Sequence, residues 1–103
     1  MKKTTIQYEE LEAIHKVLEQ TSQNLCQFIE LALSKNRPEI SGTWQRGGDH
    51  YHLCEFEIKL EDAKMILTAL EECEKQHGES LAFNEFSPAR LLNSWRNCVA
   101  ALV

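Results

Sequence analysis

The sequence predicts an α+β domain with a long N-terminal helix, a β-hairpin giving a small antiparallel sheet, and two C-terminal helices, in the order α-β-β-α-(β)-α. Three observations carry that expectation. An apolar stripe at near-heptad spacing runs from Leu11 to Ala32. Alternating segments flank Gly47-Gly48. Two further helical stripes close the chain, at 66–77 and 91–102.

The first helix is read as starting at Thr4. Thr4 and Gln7 have the spacing of a capping box, in which each side chain satisfies a backbone N–H at the helix start. Glu9, Glu10 and Glu12 follow near the N-terminal end, where acids suit the helix dipole. The stripe is Leu11, Ile14, Leu18, Leu25, Phe28 and Ala32, widened by Ile29 and Leu33, with Thr21 as its polar break. Pro38 disfavours helix at Arg37, so the stop is expected near Asn36.

A helix of roughly thirty residues would be about 45 Å long. A chain of 103 residues folds to a radius of gyration near 13 Å, hence a diameter of about 33 Å. Two outcomes resolve the misfit. The helix breaks at Thr21-Ser22-Gln23-Asn24, four mediocre helix formers. Or it overhangs its domain and pairs with a second copy. The overhang is the leading expectation, with a homodimer seam of Leu11, Ile14, Leu18, Thr21, Leu25 and Phe28.

The hairpin is expected to pair Ile40–Arg46 with Asp49–Ile58 across a Gly47-Gly48 turn. Trp44 then faces Tyr51 and Gly42 faces Leu53 on one side, with Cys54, Phe56 and Ile58 on the other. Residues 61–77 read as the next helix, opened by Glu61 and Asp62 and stopped by Gly78, with the stripe Ile66, Leu67, Leu70, Cys73 and His77. Leu81-Ala82-Phe83 is a candidate third strand. Ser87 and Pro88 announce the last helix as N-cap and first helical residue, with the stripe Leu91, Leu92, Trp95, Cys98, Val99 and Leu102.

Composition narrows function. Hydrophobic residues make up 43% and charged residues 26%, a balance that favours one folded domain over residues 1–103. No apolar run approaches the roughly 18 residues needed to span a bilayer, and the lysines at positions 2 and 3 precede no signal-like segment. A cytoplasmic location is expected. Cys26, Cys54, Cys73 and Cys98 form no CxxC pair and read as reduced thiols in a reducing compartment. Net charge is −5, of which −4 falls on residues 53–103. That balance argues against nucleic acid, which needs a basic stripe, and points toward a cationic partner.

Four groups could carry chemistry. His50-x-His52-x-Cys54 places two imidazoles and a thiol on one strand face, ligands suited to zinc or copper, but shows one tight ligand set where structural zinc sites show two. Cys54 with His52 is also a thiol beside a base, with no third group to orient it. The carboxylates of residues 55–74 read as a solvated face, or as one acidic surface in which Glu57, Glu71 and Glu74 meet a basic partner. Arg90 and Arg96 flank Trp95, which belongs to the core stripe. Trp44 and Tyr51, near the hairpin tip, are candidate partner anchors.

The leading expectation is a non-enzymatic protein–protein interaction module with no cofactor, self-associating through the first helix. Small acidic inhibitors and immunity proteins offer an analogy of size and charge alone. The alternative is a small metal-binding or metal-sensing protein using His50, His52 and Cys54.

Overall fold

The computed structural model describes residues 3–35, 53–77 and 86–103. Among them the chain forms four helices and a two-stranded antiparallel sheet, an α+β arrangement rich in helix. The elements are β1 (Lys3–Gln7), α1 (Tyr8–Thr21), a 3-10 turn (Gln23–Leu25), α2 (Gln27–Lys35), β2 (Leu53–Glu57), α3 (Leu60–His77) and α4 (Pro88–Leu102).

The chain opens with a strand where the sequence predicts a helix start. Thr4, Thr5 and Ile6 are β-branched and fit a pleated surface better than a helix turn. Burial alternates along β1, with Thr4 and Ile6 inside and Lys3 and Thr5 exposed. The capping box does not form. The N-cap is Gln7, without a side-chain cap, and the Thr4 hydroxyl instead donates to the Cys98 carbonyl at 3.4 Å. β1 pairs with β2 in the register Lys3↔Glu57, Thr4↔Phe56, Thr5↔Glu55, Ile6↔Cys54 and Gln7↔Leu53.

The long stripe is broken, which corrects the leading expectation of an overhang. α1 stops at Thr21, whose hydroxyl donates back to the Val17 carbonyl at 2.8 Å. Ser22 leaves the helical region at φ −154° and ψ 69°, while its N–H still closes the last turn on Leu18. After the 3-10 turn, the Cys26 carbonyl accepts from Ile29 and Glu30 and the helix resumes. The reason is burial. A straight 45 Å rod exceeds the longest dimension of the fold, which measures 36 × 33 × 22 Å. The bend returns Leu25, Cys26, Ile29 and Ala32 to the core. The intended seam residues Leu11, Ile14 and Leu18 are fully buried within their own chain, Leu25 is buried, Phe28 is half-buried, and Thr21 is exposed.

β2 lies inside the predicted hairpin arm. Cys54, Phe56 and Ile58 face inward, and Leu53, Glu55 and Glu57 face outward. The first hairpin arm, the Gly47-Gly48 turn, the helix stops at Asn36 and Gly78, and the strand at 81–83 lie outside the described residues. α4 begins as read, with Ser87 Oγ accepting from the Arg90 N–H at 3.2 Å and Pro88 in the first turn.

Trp95 joins the layers. It is fully buried, stacks on Phe56 of β2 with centroids 6.1 Å apart and planes at 20°, and donates its indole N–H to the Ala63 carbonyl of α3 at 2.8 Å. One side chain on α4 thereby holds both the sheet and α3. α1 lays Leu11, Ile14, Val17 and Leu18 into the same core.

Candidate functional site

The thiols come first, because cysteine chemistry needs a thiolate. Cys54 is fully buried and its Sγ–H points to the Ala32 carbonyl at 3.7 Å. Burial, and secondarily the Cys98 thiol, push its pKa up to about 12. Cys98 donates to the Thr5 carbonyl at 3.5 Å. Burial raises its pKa to about 11, with the Thr4 hydroxyl working against the rise and Glu10 adding to it. Burial also raises Cys73, and burial followed by Glu19 and Glu30 raises Cys26. All four are held as protonated thiols, the form that neither attacks nor binds metal.

Of the proposed His50-x-His52-x-Cys54 set, His50 and His52 lie outside the described residues. Cys54 points into the core, where forming a thiolate is penalised. Among the described residues no three His, Cys, Asp or Glu side chains are arranged to hold a metal ion. Trp44 and Tyr51 also lie outside the described residues.

The predicted acidic group is divided by the fold. Glu57 sits on the outer face of β2 and lines a groove of about 570 Å³ between β2 and α2. That groove mixes Lys3, Lys35 and Lys59 with Glu55, Glu57 and Asp62 around Phe28, Leu31 and Phe56, so its charge is balanced. Glu71 and Glu74 are half-exposed on α3, and Glu71 meets Arg96 of α4 at 3.7 Å. No shared element brings Glu57 to the other two.

Two polar clusters were not anticipated. The first surrounds Glu10, a buried carboxylate in the opening turn of α1. It accepts from Ser94 Oγ and faces Arg90 Nε at 3.6 Å, and the Arg90 guanidinium lies 4.6 Å from the Phe86 ring centroid. Phe86, Arg90, Ser94 and Cys98 are spaced by four along the chain, and from Arg90 onward that spacing marks one stripe of α4. The stripe was readable, but its partner Glu10 was not, because 84 residues separate Glu10 from Ser94. This cluster fastens the start of α1 to α4. Among the described residues, the side chains that meet this cluster are Glu10, Arg90, Ser94 and Phe86, with no imidazole beside Ser94.

The second cluster sits at the break. His15 Nδ1 lies 3.2 Å from Glu19 Oε1, one turn along α1, and Nε2 lies 3.3 Å from Glu30 Oε2 on α2. The spacing of His15 and Glu19 was legible as a helical pair. Glu30 reaches the same ring only because the chain turns back. A polar recess of about 330 Å³ opens beside it.

No protein-family model matches the chain, and no curated protein or solved structure matches it.

Proposed function

We propose that this chain is a non-catalytic protein-interaction module that receives a basic partner on the outward side of α3. One observation carries the reading. β2 and α3, with the residues joining them, bear seven carboxylates against three lysines, and none of the ten is buried. Glu71, Glu72 and Glu74 fall within one turn of α3 and form the centre of the face, while Glu57 lies apart from them on the outer face of β2. A solvated face with an excess of one sign steers a partner of the opposite sign and sets salt-dependent affinity. The protonated thiols add support, since Cys54 is unsuited to nucleophilic work. A reducing cytoplasm suits the four free cysteines. The apolar residues of α1 are spent on the internal core, so the reading needs no self-association.

The test compares the protein with a variant carrying Glu57→Gln, Glu71→Gln, Glu72→Gln and Glu74→Gln. Each is used as bait in native lysate at low salt and washed at about 0.5 M salt, where exposed charges are screened beyond about 4 Å. The reading expects a basic protein that the parent retains, that salt releases and that the variant fails to hold. Equal retention by both baits removes the acidic face from the explanation.

A further inference from the structure

His15 is placed to act on both sides of the α1–α2 break. Each ring nitrogen faces a carboxylate, Glu19 Oε1 at 3.2 Å from Nδ1 and Glu30 Oε2 at 3.3 Å from Nε2. The imidazole side chain is 20% exposed, whereas Glu19 and Glu30 are 55% and 59% exposed. The backbone of the same residue is tied down too, because Cys26 Sγ donates to the His15 carbonyl at 3.8 Å. The end of α1, the turn and α2 therefore converge on one residue, Glu19 and Glu30 at its ring and Cys26 at its backbone.

The chemistry of the ring makes this arrangement depend on a proton. A carboxylate only accepts hydrogen bonds. A neutral imidazole has one N–H and one bare lone pair, and only the imidazolium donates from both nitrogens. In the neutral ring one nitrogen necessarily turns a lone pair toward an anionic oxygen, so either the α1 arm or the α2 arm is lost. A metal ion cannot serve both arms, because the carboxylates lie at the two different nitrogens of the ring, which point apart. The groups lining the recess with His15 are Glu19 of α1, Gln23 and Asn24 of the turn, Cys26, and Gln27 and Glu30 of α2. Its charged members are thus both carboxylates, and its single thiol is held protonated. On α1 itself, Glu12 and Lys16 are the remaining ionisable residues within a turn of His15.

We propose that His15 is a proton-operated clasp: as imidazolium it bridges Glu19 and Glu30 and holds α2 against α1, and on losing its proton it releases one arm and loosens the bend. Imidazole is the side chain whose ordinary range of charge change, roughly pH 5 to 8, overlaps physiological conditions. The clasp is closed on the acid side and opens as pH rises. It stands on the geometry at the break and is independent of the acidic-face reading.

Amide hydrogen exchange of residues 22–30 tests it, measured at about pH 5.5 and 8 and normalised to intrinsic exchange rates. The parent protein is expected to lose protection in this segment by about fivefold across that range, the size of two half-exposed ion pairs. His15→Gln should flatten the dependence, and Glu30→Gln should flatten it while leaving the imidazole in place. Circular dichroism checks that both variants keep their helices. A parent whose protection is pH-independent, or a His15→Gln variant with the same dependence as the parent, overturns the clasp.

Discussion

Trp95→Phe probes the joint on which three elements meet. The phenyl ring can still stack on Phe56, so the aromatic pair is retained, but the indole N–H to the Ala63 carbonyl is lost. That carbonyl lies within α3 and keeps its helical bond, so the loss is the net value of one hydrogen bond, about 1 kcal/mol, and not the larger cost of an orphaned acceptor. Trp95 is 0% exposed, so its missing ring atoms leave a void. Two buried carbon groups at ~0.8 kcal/mol each add roughly 1.6 kcal/mol. The expected loss is about 2.5 kcal/mol, a large share of the roughly 5–15 kcal/mol by which domains are stable. Urea unfolding followed by far-UV circular dichroism measures it. With a slope of about 1.5 kcal/mol/M the midpoint falls by about 1.7 M. A loss below about 1 kcal/mol would mean that Trp95 is not the clamp between sheet and α3, and the account of the core would fail.

Three further outcomes are expected. Thr21→Leu should leave association unchanged, because Thr21 is exposed at the end of α1 and not on a continuous seam; light scattering showing a tighter dimer would restore the straight helix. Ser87→Ala should cost about 1 kcal/mol in thermal or urea unfolding, the value of the cap it supplies to Arg90 N–H at 3.2 Å. Cys54 and Cys98 keep their protons in the folded state up to about 12 and 11, above the ordinary thiol value of 9.0. Above pH 9 the unfolded chain therefore loses protons that the native state retains, and stability falls as pH rises through that window. Urea midpoints measured from pH 8 to 11 should drop less steeply in a Cys54→Ala, Cys98→Ala variant, and equal slopes would refute the assignment.

The last helix was legible in full from residues 87–102. Its cap, its first-turn proline and its apolar stripe are local features, and local features act alike in a peptide and in a fold. The placement of Cys54, Phe56 and Ile58 on one strand face was legible for the same reason, and which face turns inward was not. The acidic excess of residues 53–103 was readable as composition, and its scattering over a sheet face and a helix was not. The thiols were readable as apolar positions, and burial then determined how strongly each is held protonated.

The start of the chain shows where local reading stops. Thr4 and Gln7 fit a helix cap equally well as they fit a strand, and the choice belongs to β2, which lies fifty residues away and offers Phe56 opposite Thr4. The bend after Thr21 was one of two outcomes the sequence left open. It was settled by whether Leu25, Ile29 and Ala32 find apolar surface within the same chain, which they do. The sequence by itself determined which residues are apolar, how they repeat, where α4 begins and the sign of the charge. Only the tertiary structure decided that the chain opens as a strand, that the long stripe folds back on itself, and that Glu10 meets Ser94 and His15 meets Glu30. Periodicity and capping depend on neighbours within a turn or two, whereas pairing and burial depend on surfaces that exist only once the distant segments have come together.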